Sequence, residues 1–319
     1  MSNITSVRRP PRALFFGMQG NFSAPVLIAL LNGGIEVAAV IVPASPIPGS
    51  RPPAIKRLER PHIVRTMLPL ASSSLHSSIV QTAWIREIPV WEIHRLANPE
   101  TVATLTAYQP DVICVACFSL LIPRVIIDLP PLGCLNVHPA LLPANRGPVP
   151  LFWTFREGHE TTGVTIHFMD EHMDSGDILA QESLQVPDGI SYDHLESQCT
   201  TIGGELLACT VWDLYAGRNT RRPQDEAKSS YHSFPTSEDL VVHAASWSAR
   251  HVSNFISGLG HWDAPIELHA GKQVFFVRDA ISYSNNDVSD DLDESYRQGA
   301  AGVWVRCRTG WVCIRPIAS

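Results

Sequence analysis

The sequence predicts an α/β protein in which a parallel sheet is followed by a smaller domain rich in strands. Near the start, an apolar stretch at 12–17, a helical stretch from Ser23 and a second apolar stretch at 36–43 follow one another. This order describes a βαβ unit with a parallel sheet. Near the end, V-F-F-V-R-D-A, V-W-V-R-C-R and W-V-C-I-R-P are short strand-like stretches, preceded by one helix at about 247–258. Several short strands around one helix suggest a small β-barrel.

The first helix carries signals at both of its ends. Ser23 is placed to act as its N-cap, and Pro25 falls in the first turn, where a missing backbone N–H costs little. Gly33 and Gly34 follow the last apolar residue, as is usual where a helix ends. We therefore predict a helix from about Ser23 to Gly33.

Further elements follow by the same criteria of periodicity and composition. Strands are predicted at 88–93, 111–117 and 163–169, and helices at 99–109, 123–128 and 192–215. The stretch 218–231 is polar with few residues that could form a core, which is typical of a linker. We expect a first domain at 1–217, a linker at 218–235 and a second domain at 236–319.

Composition excludes several classes of protein. The chain has 319 residues, 45% of them hydrophobic, and a formal net charge of −7, which argues against general coating of nucleic acid. No window reaches the roughly 20 apolar residues of a membrane span, and residues 1–12 lack the apolar core of a signal peptide. We expect a cytoplasmic protein with no membrane partner. A local basic excess occurs at 51–65, and an acidic loop at 285–294.

Two polar side chains stand in the apolar stretch G-C-L-N-V-H-P-A-L-L-P that begins at 133. Because strand side chains alternate, Asn136 and His138 project from the same face. An amide beside an imidazole can stabilise an oxyanion during attack on a carbonyl, and the imidazole can also transfer a proton. The later loop M-D-S-G-D offers Asp174 and Asp177 as the carboxylate that would orient His138. A buried Asn–His pair that only satisfies the strand end is the structural alternative.

Metal and redox chemistry are not expected. Cys114 and Cys117 match C-x-x-C, but on a strand residues three apart face opposite sides. His159, His167 and His172 have the spacing of no known zinc pattern. We expect these histidines to be structural.

The motifs N-V-H-P-A-L-L-P-x-x-R-G and E-T-T-G-V-T-I-H-F-M-D-E-H-M-D-S-G-D-I-L resemble the signature of the formyltransferases that use 10-formyltetrahydrofolate. The resemblance extends over nearly the whole chain, to F-F-G-M-Q-G-N-F-S-A-P-V-L, P-Q-D-E and W-S-A-R-H-V-S-N-F-I-S-G-L, and is close to the branch that formylates methionyl-tRNA. It implies a Rossmann-like first domain, an OB-like barrel as the second, and a catalytic trio of Asn136, His138 and Asp174. It also implies 10-formyltetrahydrofolate as the donor, without a metal.

The resemblance also suggests binding residues. Those matching the folate pocket are Phe118, Leu120, Leu121, Ile122, Glu171 and Met173; plain core packing is the alternative for each. The acceptor side would be lined by Gly20, Asn21 and Phe22, where a helix start favours an anionic group, and by Arg146. A solvated loop arginine is the alternative for Arg146.

The acceptor is left open between two classes. The overall layout favours a charged initiator tRNA. The loop P-A-S-P-I-P-G-S-R-P-P-A-I-K-R-L departs from the glycine- and lysine-rich loop of that branch, however, and residues 236–319 hold seven Lys or Arg against ten Asp or Glu. A nucleotide-linked amino sugar or another small amine is therefore the second hypothesis. A non-catalytic folate-binding module is less favoured because the trio is intact, and a formyltetrahydrofolate hydrolase because the N-terminal regulatory domain expected of one is missing.

Overall fold

A computed structural model describes residues 9–45, 52–60, 78–218, 220–285 and 294–317. The chain forms two compact units. The first comprises Met1–Pro143, Val164–Glu182 and Ser197–Ser229, and the second comprises Ala144–Gly163, Ser183–Glu196 and Ser230–Ser319. The domain limits expected from the sequence stay a prediction.

An eight-stranded sheet runs through the part of the first unit that the structure describes, in the order β3-β4-β2-β1-β5-β6-β7-β8. Its strands are β1 (Arg12–Gly17), β2 (Glu36–Pro43), β3 (Ile55–Leu58), β4 (Val90–Ile93), β5 (Val112–Ala116), β6 (Cys134–His138), β7 (Thr161–Phe168) and β8 (Ile178–Gln185). The five neighbouring strands β4, β2, β1, β5 and β6 pair in parallel. On either side of them, β3 pairs with β4, and β7 with β6, in antiparallel fashion. The predicted parallel-rich α/β sheet is therefore confirmed.

The centre of this sheet is buried because its strands are apolar on both faces. β5 reads V-I-C-V-A, and every residue in it is buried. β1 pairs with β5 on one side and β2 on the other, so the most apolar strands lie together. Burial on both faces is what a near-continuous apolar strand requires. The next strand beyond β5 is β6, which carries Asn136 and His138.

Five helices of the described residues match predicted ones with small shifts at their ends, whereas those at Ile79–Ile85 and Pro150–Arg156 were not predicted. The helices are α1 (Ser23–Asn32), α2 (Ile79–Ile85), α3 (Pro99–Thr106), α4 (Arg124–Ile127), α5 (Pro150–Arg156), α6 (Tyr192–Tyr215) and α7 (Ala249–Leu259). α1 ends at Gly33, as predicted, but Ser23 is not its N-cap. The Ser23 hydroxyl instead donates to the Ala116 carbonyl at 2.6 Å and accepts from the Met18 N–H at 3.0 Å. The Ser23 hydroxyl therefore joins the ends of two strands and does not cap α1.

The basic stretch contains a strand that the sequence analysis did not predict. Lys56 and Arg57 lie on β3, at the edge of the sheet. Charged side chains are common on edge strands, because they discourage pairing with another chain. Arg51 and Arg65 of this stretch lie outside the described residues, as do 286–293 of the acidic loop.

The second unit contains a six-stranded sheet within its described part, in the order β12-β13-β14-β11-β10-β9. Its strands are β9 (Val241–His243), β10 (Ile266–Ala270), β11 (Gln273–Ser284), β12 (Tyr296–Gln298), β13 (Val303–Arg306) and β14 (Trp311–Pro316). The Ser248 side chain caps α7 by accepting from the His251 N–H. A second β-rich unit is therefore present, and its closure into an OB-like barrel stays a prediction. Among the helices of the described residues, none has both the length and the apolar composition of a membrane span.

Candidate active site

Two neighbouring strands present the polar side chains of the candidate site on one face of the sheet. Asn136 pairs with His167, and His138 with Thr165, across the antiparallel strands β6 and β7. Paired residues in antiparallel strands point to the same face, as do residues two apart on one strand. All four side chains therefore converge, and His138 is 3% exposed.

Asp174 is the carboxylate that approaches this face. Its Oδ2 lies 3.7 Å from His138 Nδ1, and its Oδ1 lies 3.6 Å from His167 Nε2 and 3.5 Å from Asn136 Nδ2. Asp177, the rival considered from the sequence, uses its backbone carbonyl to accept from the Phe168 N–H at 2.9 Å. The geometry therefore favours Asp174 as the partner of His138.

The loop that presents Asp174 is held by its own polar groups. The Asp170 carboxylate accepts from the His172 N–H at 2.9 Å and from the Ser175 hydroxyl at 2.8 Å. Asp174 itself has a φ of 52°, in the left-handed region that residues with a Cβ seldom occupy. Such a conformation persists only where the surroundings enforce it.

His167 lies within the candidate site, next to Asn136 and Asp174. Its Nδ1 lies 2.8 Å from the Phe168 carbonyl, which can only accept, so Nδ1 carries a proton. Burial lowers the pKa of His167 to about 4, against the opposing effect of Asp174. The neutral ring therefore offers its Nε2 lone pair to Asn136 Nδ2, 3.1 Å away. Alternation along T-I-H predicts that His167 and Thr165 share a face of their strand. The sequence does not show that this strand pairs with β6.

Thr165 braces the turn that follows His138. Its hydroxyl donates to the Ala140 carbonyl at 2.6 Å and accepts from the Leu142 N–H at 3.1 Å. The Gln181 amide donates to Thr165 Oγ1 at 2.9 Å and to the Leu142 carbonyl at 2.8 Å. These buried bonds fix the backbone just beyond the imidazole, so the position of His138 is determined by β7 and β8 as well as by β6.

The residues suggested for the folate pocket have different environments. Phe118 and Leu120 are partly buried against the core, and Ile122 lies within it at 5% exposure. Leu121 and Met173, by contrast, are large apolar side chains that are exposed, at 79% and 46%. An ion pair of 3.5 Å between Arg124 and Glu171 links the segment just after Ile122 to the loop that contains Met173.

The residues suggested for the acceptor fall in both units. Gly20 and Asn21 are exposed at the turn before α1, whereas Phe22 is buried at 7%. Arg146 belongs to the second unit and is 9% exposed, so it is not a solvated loop arginine. Its backbone forms a bridge with Tyr231, in which its N–H donates to the Ser230 carbonyl at 2.9 Å.

Across the described ranges, no group of three His, Cys, Asp or Glu side chains is arranged to hold a metal ion. Cys114 is buried and Cys117 exposed, so the two thiols of the C-x-x-C pattern have different environments. Burial raises the pKa of Cys114, which disfavours the thiolate.

Comparison with known proteins addresses the family of this chain. The family model described as formyl transferase matches residues 12–211. The methionyl-tRNA formyltransferase of Syntrophus aciditrophicus is 34% identical over 248 residues, covering 77% of this chain and 72% of the relative. That of Geotalea daltonii is 30% identical over 312 residues, covering 96% and 90%. A crystal structure of WlaRD, a sugar 3N-formyl transferase, matches the fold with a TM-score of 0.64 at 12% identity, covering 98% of this chain and 99% of that one. The chain therefore belongs to the formyl transferase family.

Proposed function

We propose that this enzyme transfers a formyl group from 10-formyltetrahydrofolate to the amino group of methionyl-tRNA. The observation that carries the proposal is the convergence of Asn136, His138 and Asp174 on one face of the sheet. The two methionyl-tRNA formyltransferases support the choice of acceptor, because the Geotalea daltonii protein matches along 96% of this chain.

The proposed reaction requires no covalent intermediate with the enzyme. The acceptor amine attacks the formyl carbon, a new C–N bond forms, and the carbonyl oxygen becomes an oxyanion. The amide of Asn136 and the imidazole of His138 are placed to donate to that oxyanion, because they share a face of β6. Collapse of the tetrahedral centre then breaks the bond to the folate nitrogen, which takes up a proton as tetrahydrofolate leaves.

Asp174 has two proposed tasks. Its carboxylate, 3.7 Å from His138 Nδ1, orients the imidazole and stabilises the ring when it is charged. It also provides a base toward which the attacking amine can lose its proton through water. Both tasks require Asp174 to stay close to His138, so they depend on the loop conformation described above.

The donor site is proposed at the segments joined by Arg124 and Glu171. The exposed apolar side chains of Leu121 and Met173 suit an aromatic ring system such as a pterin, which gains stability when its faces leave water. Phe118, Leu120 and Ile122 would support this surface from the core side. The acceptor is proposed to contact Gly20, Asn21, Phe22 and Arg146.

A nucleotide-linked amino sugar is the second candidate acceptor. Residues 236–319 hold seven Lys or Arg against ten Asp or Glu, a net of −3, whereas a surface that binds an RNA backbone is expected to be basic. The WlaRD structure was obtained in the presence of dTDP and 5-N-formyl-THF, and its fold covers nearly all of this chain. Other small amines belong to the same alternative. We keep the cytoplasm as the expected location for either acceptor.

An acceptor screen with a labelled formyl donor tests these proposals. We expect label to move to methionyl-tRNA, and tetrahydrofolate to be released only when that acceptor is present. The Asp174→Asn variant is the control for background transfer. Label on a dTDP-amino sugar and none on methionyl-tRNA would replace the first acceptor by the second. Release of tetrahydrofolate with water alone would indicate a hydrolase, and donor binding without turnover a non-catalytic module.

A further inference from the structure

A glutamine outside the trio contacts the loop that presents Asp174. Gln224 Nε2 donates to the Asp174 carbonyl at 2.8 Å and to the Gly176 carbonyl at 2.7 Å. A side-chain amide nitrogen has two protons, and here both are directed at backbone carbonyls on either side of Ser175. Gln224 therefore holds the loop at the residues that flank its turn.

The loop has a conformation that its own residues do not prefer. Asp174 has a φ of 52°, a left-handed conformation that aspartate adopts more readily than most residues with a Cβ but that still costs some free energy. Gly176 is equally constrained, because a Cβ at that position would lie 1.9 Å from the Phe168 carbonyl oxygen. Contacts from elsewhere in the fold therefore add to the loop's own hydrogen bonds in keeping Asp174 in place.

Gln224 is itself fixed by the residues before it in the chain. Arg222 and Ile178 exchange two backbone hydrogen bonds, each of 2.9 Å, so the chain is attached to the start of β8 two residues before Gln224. The Arg222 guanidinium also donates to Gln181 Oε1. Gln181 in turn donates to the Leu142 carbonyl and to Thr165 Oγ1, in the turn after His138.

One short segment thus contacts both halves of the candidate site. Through Gln224 it reaches the Asp174 loop, and through Arg222 and Gln181 it reaches the turn after His138. The 3.7 Å separation between Asp174 and His138 depends on both of these backbone segments. Residues 218–235 were expected only to connect the two domains, and that role does not explain these hydrogen bonds.

We propose that residues 222–224 form a positioning element of the active site, and that Gln224 is the residue through which it sets the place of Asp174. The inference rests on the proposed function of Asp174, but it concerns a different residue and a different part of the chain. Gln224 acts through Asp174 and does not itself touch the reacting atoms.

The test variant is Gln224→Glu, which keeps the side-chain length but replaces the donating nitrogen by an oxygen that repels both carbonyls. We expect kcat to fall by about 10- to 100-fold, because a displacement of about 1 Å at a catalytic group has effects of that size. The KM for the folate donor is expected to stay within about threefold, because the two loop carbonyls that Gln224 binds belong to Asp174 and Gly176 and not to residues proposed for that site. The matched control is Gln185→Glu on β8, since Gln185 is exposed and its amide makes one long contact of 3.4 Å.

Two further measurements separate positioning from general stability. In single-turnover reactions at high enzyme concentration, Gln224→Glu should change the rate of the Asp174→Asn variant by less than about threefold, because residues that act as a unit are not additive. The side-chain nitrogen resonances of His138, observed in ¹⁵N-histidine-labelled protein, should shift in Gln224→Glu and not in Gln185→Glu. This second measurement needs no turnover, so it remains decisive if the proposed function fails.

The proposal is overturned by any of three results. These are a kcat of Gln224→Glu within twofold of the parent, an equal loss of rate in the parent and in the Asp174→Asn variant, and unchanged His138 resonances in a folded Gln224→Glu protein. Thermal unfolding of each variant establishes that it is folded. If Gln224→Glu does not fold, Gln224→Met replaces it, because that side chain has a similar length and lacks both the donor and the charge.

Discussion

Asn136 and His167 face each other across β6 and β7, with Asn136 Nδ2 3.1 Å from His167 Nε2. The ring is neutral, and its other nitrogen is committed to the Phe168 carbonyl. One proton of the Asn136 amide is therefore directed at His167, which sets the orientation of the whole amide group. The second amide proton points toward Asp174 Oδ1 at 3.5 Å, a long contact that a developing oxyanion can replace.

His167→Phe removes this acceptor while keeping a ring of similar size. We expect kcat to fall by about tenfold or more, because the Asn136 amide loses the contact that orients it toward the oxyanion. The KM values should change little, since the effect is on a group that acts in the transition state. Steady-state kinetics with saturating donor measures this, and an unchanged kcat would show that Asn136 is oriented without His167.

His138→Ala is expected to lower the rate of formyl transfer by at least about 10²-fold, the usual effect of losing one oxyanion donor. The protein should remain folded, because the change removes a side chain of the site and leaves the backbone pairing of β6 with β5 and β7 in place. Circular dichroism and single-turnover transfer check both expectations. His194→Ala, at an exposed position on α6, is the control, and substantial residual activity of His138→Ala would refute the proposed catalytic role.

Stability is expected to decline as the pH falls below about 6.5, the ordinary pKa of histidine. Burial holds the pKa of His167 near 4 in the folded state, so between these two values the unfolded chain binds a proton that the folded chain does not. Each decrease in pH within that window therefore favours unfolding, and below about 4 the contribution levels off. At neutral pH the His167 ring is neutral in both states, so its titration does not change the free energy of unfolding.

Urea denaturation of the parent and of His167→Phe at several pH values measures this effect. The free energy of unfolding of the variant should depend less on pH between about 6.5 and 4, because its ring cannot take up a proton. Some dependence should remain, since burial also lowers the pKa of His251. Identical slopes for the two proteins would mean that His167 is not responsible.

Gly176→Ala is expected to destabilise the protein by about 3 kcal/mol or to displace the Asp174 loop, because the added Cβ would overlap the Phe168 carbonyl. Gly217→Ala provides the comparison. Gly217 has a φ of 69° but no atom within 4 Å of an added Cβ, so only the backbone cost of about 1 kcal/mol applies. Denaturation midpoints and kcat of both variants distinguish a steric clash from backbone strain. Equal losses of stability in the two would contradict the clash.

Much of the first unit was predictable because its signals are local. The apolar stretches at 12–17 and 36–43 became β1 and β2, and α1 ends at Gly33. Ser23 was wrongly predicted as an N-cap, because its competing partner, the Ala116 carbonyl, is 93 residues away in sequence. β3 was missed because its pairing with β4 crosses a separation of more than thirty residues, and its own composition is charged.

The sequence by itself determined that Asn136 and His138 share one face, because alternation along a strand needs no knowledge of its neighbours. With the D-S-G-D motif, it also determined the chemistry to expect and the family to which the chain belongs. Only the tertiary structure decided that His167 lies opposite Asn136 and that Gln224 holds the loop of Asp174. It also gave the distance between Asp174 and His138, which the family resemblance had already suggested as partners. These relationships depend on strand register and on contacts between residues about 30 to 50 positions apart, which local sequence patterns do not encode.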